Sequence, residues 1–422
     1  MADHFEAIVV GAGPAGNAAA LTMARAGLDV LQLERAEFPG AGSTEGSLLW
    51  APALEKLIFD FRIQAPLERR IVEQRVWRLQ PQARISGPEP AYGGRAALPD
   101  RYTILRGPFE TWFSSTLKTA GVRSVFAAPV AGLIREDDGR VIGVQTGDGG
   151  EFFADAVVLA EGVESLVTRH AGLRDDLQPL GVAIRVTELR RLPRLELERR
   201  FGVEGDDGIA IEACGELLPG MSCSGFVYTN RESLSVGVGC VVEDIVASNL
   251  TPSELLDRFK QHPSVKSLLA DSEALDFSAR LLPEGGYRVR PRLFGDGWLT
   301  CGDAMQPGSP AHRTGATLAL TSGRLAGETV VELMRHGRPM TARHLSLYRD
   351  KLERSAMLKM LQRHQPGAEQ EQRNPAADPG RLAQASRGFV RAGDENGRNL
   401  QRLLLRRLVG GSRLRKAVDG LA

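Results

Sequence analysis

Ala7-Ile-Val-Val-Gly11-Ala-Gly13-Pro-Ala-Gly16 decides the fold class of this 422-residue chain. An apolar, β-branched run stops in a glycine turn, and the small residues Ala18-Ala-Ala20 then open a helix. A second apolar run, Val30-Leu-Gln-Leu33, ends in Glu34, an acid 18 residues beyond Gly16. Strand, glycines, helix, strand and acid in that order form a complete dinucleotide fingerprint. Gly11 serves the tight turn, Gly13 lets backbone approach a pyrophosphate, and Gly16 lets the helix lie close on the sheet. The helix N-terminus offers unpaired N–H groups and a partial positive charge to phosphates. Glu34 is placed to accept hydrogen bonds from a ribose. Because the motif starts within the first dozen residues, we expect no cleaved leader ahead of it.

Size and composition bound the rest. A chain of this length exceeds one simple core and predicts two or three structural units. Hydrophobic content of 42% and charge of 25% are those of an ordinary globular protein. A net charge of +1 argues against nucleic acid as a partner. No apolar run reaches the ~20 residues that span a bilayer. The four cysteines, Cys214, Cys223, Cys240 and Cys301, form neither a CxxC pair nor an iron–sulfur spacing. We expect them to be reduced and buried, in a cytoplasmic protein that carries no cluster of its own.

The rest of the chain reads as an interrupted α/β unit. Residues 1–75 form a βαβ followed by a helix, in which Ala53–Ile58 is amphipathic. Residues 81–99 are rich in Pro, Gly and Ala and suggest a surface excursion. Tyr102–Leu105 is a short strand, and Arg106-Gly-Pro-Phe-Glu-Thr-Trp112 starts a helix toward Lys118. Val141–Gln145 and Glu151–Ala154 suit a hairpin, and Ala156-Val-Val-Leu-Ala160 a buried parallel strand. Between 180 and 280, alternating runs suggest an antiparallel sheet, with Thr229-Asn-Arg-Glu as one turn. Thr251-Pro-Ser-Glu254 is a capping box with proline at the first helical position.

A last strand–glycine–helix unit occupies 297–335. Trp298-Leu-Thr-Cys-Gly302-Asp303 is a strand ending in Gly-Asp, whose carboxylate at a strand's carboxyl end suits a polyol. In the helix that follows, Gly315, Ala319, Gly323 and Gly327 share one face. That smooth face is expected to press on sheet backbone or on a flat ring. Residues 364–386 read as a linker. Residues 399–422 carry six Lys/Arg and one Asp, with Leu400, Leu404 and Leu408 on one helical face. Such a basic amphipathic helix suits a peripheral contact with the inner face of a membrane, an acidic ferredoxin, or simple closure of the domain.

With these motifs in place, the chain resembles the glutathione-reductase-type FAD enzymes. Within them it is most similar to the FixC-type flavoproteins, relatives of electron-transfer-flavoprotein:quinone oxidoreductase and of the geranylgeranyl reductase superfamily. The blocks that carry the resemblance are Ala7–Met23, Leu31–Arg35, Pro66-Leu-Glu-Arg69, Val72–Arg75, Arg101–Ile104, Val158–Gly162, Phe294–Trp298 and Leu345–Tyr348. They span roughly residues 5–360.

The resemblance implies an α/β fold: a glutathione-reductase-type FAD-binding Rossmann domain, an inserted antiparallel β-sheet substrate domain, and a helical C-terminal region. The FAD-binding domain would take 1–75, 101–175 and 285–340. Residues 76–100 would be an excursion toward the substrate domain, 176–284 that domain, and 341–422 the helical region. FAD is the implied cofactor. Gly11, Ala12, Gly13, Pro14, Ala15 and Gly16 would follow its pyrophosphate, with Glu34 and Arg35 at the adenosine ribose end. Arg106 would pair with the phosphates, and Val130 would line the adenine through its backbone. Asp303, with Gly302 before it, would take a ribityl hydroxyl or a phosphate-side contact, and Gly315 and Ala316 would cap the ring.

A helix start near Gly315 would place about half a positive charge beside that ring. No acid–base residue is then required and no catalytic residue is named; His312 and Arg313 are electrostatic candidates. The implied activity passes electrons between an electron-transfer flavoprotein or ferredoxin-type partner and a quinone or related acceptor, with any cluster supplied by a separate ferredoxin-like subunit. The alternative is a self-contained NAD(P)H-dependent hydroxylase or prenyl-chain reductase. Such hydroxylases usually carry Asp-Gly where this chain has Glu161-Gly162, and a scaffold without activity fits the intact motifs poorly.

Two segments depart from the family pattern. Gly40-Ala-Gly-Ser-Thr-Glu-Gly46 lacks the usual lysine and asparagine, and Met305-Gln-Pro-Gly-Ser-Pro310 replaces an Asn-rich stretch. Both are expected to border the ring.

Overall fold

The computed structural model describes residues 3–43, 45–80, 83–86, 100–175, 182–218, 221–283, 292–305 and 315–355. The proposed linker, the basic tail, His312 and Arg313 lie outside these residues.

Two sheets organise the chain. In the first, the strand order is Phe294–Gly295, Trp298–Thr300, Glu151–Leu159, Asp3–Val10, Val30–Leu33, Arg123–Val125. Its four central pairings are parallel. Parallel strands buried on both faces need apolar residues at every position, and the sequence supplies them. Ala7, Val9, Ala156 and Val158 pack toward the helices Pro14–Arg25, Arg106–Thr119 and Gly315–Arg335. Ile8, Val10, Val157 and Leu159 pack on the other face with Val141 and Val144. The antiparallel strands Val130–Arg135 and Val141–Thr146 extend from Glu151–Leu159 on that face, and Val141–Thr146 and Glu151–Leu159 form the expected hairpin.

From the central strand Asp3–Val10 the chain crosses by the first helix to Val30–Leu33 on one side, while Glu151–Leu159 lies on the other. The carboxyl ends of the two neighbours therefore diverge, leaving the crevice where ligands of such sheets collect.

The second sheet runs Glu273–Pro283, Val182–Arg191, Ser233–Val241, Met221–Thr229, Asp207–Leu218, Leu67–Gln80, Arg101–Leu105, Gly46–Trp50. It is antiparallel except where Leu67–Gln80 runs parallel to Asp207–Leu218. This differs from the sequence reading in two ways. The sheet is mixed, and Gly46–Trp50, Arg101–Leu105 and Leu67–Gln80, all but the last five residues of which are expected in the first unit, pair in it. Their side-chain pattern is that of any half-buried strand; they join this sheet through the pairing of Leu67–Gln80 with Asp207–Leu218, more than a hundred residues away.

Arg69 joins these distant pieces. Its fully buried guanidinium donates to the carbonyl oxygens of Asn230 (2.7 Å), Gly205 (2.8 Å), Asp207 (2.9 Å) and Arg231 (3.1 Å). One face of the sheet packs under the helices Arg194–Phe201 and Pro252–Gln261. The second helix begins with the expected capping box: Thr251 Oγ1 accepts from Glu254 N, and Glu254 accepts from Thr251 N.

No described helix is long and apolar enough to cross a membrane.

Candidate functional site

The glycine turn sits where the crevice opens. Gly11 has φ +107°, and a methyl there would stand 2.5 Å from the Ala160 carbonyl oxygen. A methyl at Gly16 would overlap the carbonyl oxygen of Gly11 and lie 3.3 Å from Ala160 Cβ. Both positions are thus filled by the protein's own backbone. Gly13 differs, because a methyl there meets nothing within 4 Å. Gly13 precedes the first helix with no side-chain cap, and Pro14 follows at the first helical position. A helix start with no side chain across it can present its N–H groups to an anion.

Glu34 is held at the end of the second strand. Its carboxylate accepts from Ala12 N (2.6 Å) and Ala36 N (2.9 Å), tying the acid to the glycine turn. A carboxylate offers about four lone-pair sites, so acceptor capacity remains for hydroxyl donors. Arg35 turns instead to Glu164, at 2.8 Å. Ala127 N donates to Ala36 O and Ala128 N to Glu34 O, so the chain leading into Val130 runs alongside the acid.

Sequence reasoning missed the clamp beneath this turn. Gln32, buried in the second strand, donates to Gly11 O (3.2 Å) and Asn17 Oδ1 (2.9 Å), and accepts from Ser124 Oγ (2.9 Å). The signal was present: one amide inside the apolar run Val30–Leu33, whose burial demands partners.

The Gly-Asp segment arrives from the other side. Gly302 has φ +67°, and a methyl there would stand 2.7 Å from Ala15 Cβ. Its N–H donates to Ser322 Oγ at 2.9 Å. At Gly323 and Gly327 the smooth face of the helix Gly315–Arg335 packs on the first helix. A methyl at Gly323 would overlap the Ala15 carbonyl oxygen, and one at Gly327 would stand 2.8 Å from Ala19 O. The expectation of sheet or ring packing is therefore corrected for Gly323 and Gly327: two small-residue helices approach backbone to backbone. Gly315 is exposed with nothing within 4 Å of a methyl, and Ala316 is half-buried beside it.

Asp303 is partly buried, near Arg106, which opens a helix on the first sheet, and Arg185 and Arg280 of the second sheet. Burial pushes its carboxyl above the ordinary range, while Arg106, Arg185 and Arg280 pull it back. Arg106, first residue of its helix, pairs with Glu45 (3.2 Å) and with Glu110, which accepts from Nε at 2.7 Å. Burial opposes the Arg106 charge, but Glu110 and Glu45 hold it fully protonated. Arg280, on the second sheet, reaches Glu45 (2.9 Å), Gly42 O (3.0 Å) and Ser43 Oγ (2.5 Å). Glu45 and Ser43 lie in the segment that departs from the family pattern, so an acid stands there between two arginines.

Glu161 serves the backbone. Its carboxylate accepts from Val167 N (2.6 Å), Thr168 N (3.1 Å) and the Thr168 hydroxyl, capping the short helix Leu166–His170. The buried Arg174 donates to Ser165 Oγ (2.6 Å) and to Ala304 O (3.1 Å), next to Asp303. Among the described residues there is no group of three or more His, Cys, Asp or Glu able to hold a metal.

Comparison with known proteins places the chain in a family. Residues 6–161 match the family described as FAD dependent oxidoreductase. The chain is 47% identical to the protein FixC of Azorhizobium caulinodans over 363 residues, 86% of this chain and 83% of that protein. It is 36% identical to the probable electron transfer flavoprotein-quinone oxidoreductase YgcN of Escherichia coli K12 over 368 residues, 86% of this chain and 85% of that protein. Among solved structures, a geranylgeranyl bacteriochlorophyll reductase-like protein of Thermoplasma acidophilum shares the fold, with a TM-score of 0.67 and 17% identity, covering 99% of this chain and 96% of that one. The flavin-dependent brominase Bmp2 does so at 0.65 and 16%, covering 99% of both chains.

Proposed function

Because the chain belongs to the FixC family of FAD-dependent oxidoreductases, we propose that it exchanges electrons with an electron-transfer flavoprotein and passes them to or from a quinone or related acceptor. The observation that carries the reading is the meeting of three separated segments at Ala15. Gly302 and Gly323 both press on Ala15, which stands two residues after the open Gly13. A dinucleotide is the kind of ligand long enough to touch all three, and the donor set suits it.

In this reading, the N–H groups after Gly13 bind the pyrophosphate. Glu34 orients the ribose through its remaining lone pairs, with Val130 backbone beside the adenine. Asp303 holds a ribityl hydroxyl, its carboxyl under the electrostatic influence of Arg106, Arg185 and Arg280. Arg106, fixed by Glu45 and Glu110, keeps positive charge near the phosphates. Gly315 and Ala316 border the ring. Bound FAD supplies the redox chemistry, and the protein binds, orients and tunes it.

Glu161-Gly162, standing where NAD(P)H-dependent hydroxylases of this fold usually carry Asp-Gly, favours a partner protein over NAD(P)H as electron donor. With that carboxylate already accepting three hydrogen bonds, it is less available for contacts in the crevice. The test is anaerobic reduction of the purified holoprotein, followed by flavin absorbance. A reduced electron-transfer flavoprotein is expected to bleach the flavin rapidly and NADPH slowly. Rapid bleaching by NADPH alone would favour a self-contained hydroxylase or prenyl-chain reductase and overturn the proposal.

A further inference from the structure

The second sheet carries a pair of thiols that the flavin site does not use. Cys223 and Cys240 stand directly opposite each other on the antiparallel strands Met221–Thr229 and Ser233–Val241. Both are buried.

The turn joining these strands fixes the geometry of the pair. Asn230 N donates to Ser233 O at 2.8 Å across the two-residue turn Arg231-Glu232, so Asn230 and Ser233 form a hydrogen-bonded pair. Pairs alternate along an antiparallel ladder between hydrogen-bonded and non-hydrogen-bonded types. No register shift interrupts this ladder as far as Cys223 and Cys240. Cys223 lies an odd number of steps from Asn230, so the cysteines fall at a non-hydrogen-bonded pair. Such positions bring the Cα atoms to about 4.5 Å and the side chains closest, within the span a disulfide bridges. The Cys223 thiol, then burial, raises the Cys240 thiol above its ordinary range. The other cysteines stand apart. Register pairs Cys214 with Ser224, and Cys301 lies in the first sheet against Leu159.

We propose that Cys223 and Cys240 form a reversible dithiol–disulfide site, oxidised by small peroxides. The oxidant class follows from burial, which admits small molecules before protein thiols. Attack of one sulfur on hydrogen peroxide forms an S–O bond, breaks the O–O bond and releases water. The second sulfur then forms the S–S bond and breaks the S–O bond, releasing a second water. Both thiol protons end in the waters, and the two sulfurs together lose two electrons. The bond locks the hairpin at the end opposite its turn. A thiol reductant reverses it.

The test treats the holoprotein with hydrogen peroxide, then denatures it and alkylates the remaining thiols. Two of the four cysteines should become unreactive, with a mass loss of two hydrogen atoms, a peptide crosslink mapping to Cys223 and Cys240, and full recovery with dithiothreitol. The melting temperature should rise on oxidation and fall back on reduction. Cys240→Ser should abolish the crosslink and Cys301→Ser retain it; mapping on the unsubstituted chain decides the matter if a variant fails to fold. Four reactive thiols after treatment, oxygen atoms added to sulfur, or a crosslink through other cysteines would overturn the proposal.

Discussion

At the scale of single residues, the glycines divide by what surrounds them. Gly11 and Gly16 are pressed against backbone, whereas Gly13 faces open space. Gly13→Val should therefore leave the unfolding free energy of the FAD-free protein within about 0.5 kcal/mol of the parent, as surface changes do. It should weaken FAD binding at least tenfold, about 1.4 kcal/mol, as read by flavin fluorescence titration. Asp303 gives a second residue-level expectation. Burial raises its folded-state pKa above the unfolded value, so its contribution to stability is full below the ordinary carboxylate range and lost as pH rises through the folded value. In FAD-free protein, the stability of the parent relative to Asp303→Asn should fall with rising pH, and chemical denaturation from pH 4 to 8 reads the difference. The fingerprint residues were legible because each obeys a spacing rule. The Glu45–Arg106–Arg280 grouping was not, since no local pattern reveals that residues 45 and 280 meet.

At the scale of elements, the helix Gly315–Arg335 shows where sequence periodicity stops. Its small-residue face was visible in the four-residue spacing, but the partner was not. Small faces suit a sheet, a ring or another helix equally, and the structure gives the first helix. Gly323→Ala should push these helices apart at Ala15, costing about 1–3 kcal/mol as overpacking does, measured by urea unfolding. FAD affinity should fall with it, because Ala15 also abuts Gly302. The capping box was legible for a different reason. Thr251 and Glu254 bond within three residues, so nothing distant was needed to read them. Parallel pairing of Leu67–Gln80 with Asp207–Leu218 lies at the opposite extreme, and no local signal could have found it.

At the scale of the whole molecule, the two sheets are joined by charge as well as by packing. Glu45 sits between Arg106 of the first unit and Arg280 of the second sheet, all three largely shielded from solvent. Glu45→Ala and Arg280→Ala should be coupled in a double-mutant cycle by about 0.5–3 kcal/mol, the range for contacting residues. A coupling near zero would mean that packing alone joins the sheets. The family relationship spans most of the chain, and the sequence blocks that carried it fall in both sheets, from the glycine turn to Tyr348. Buried Tyr348 lies against Met305 Sδ at 3.1 Å, so even the last of those blocks packs beneath the Gly-Asp segment.

The central claim is that the segments meeting at Ala15 grip a flavin dinucleotide. Calorimetric titration of the deflavinated protein with FAD tests it most directly. The account predicts saturable binding of one FAD per chain, a yellow product and a raised melting temperature, with the affinity reduced by both Gly13→Val and Asp303→Ala. A folded protein that stays colourless, takes up no heat and melts unchanged in excess FAD would contradict it.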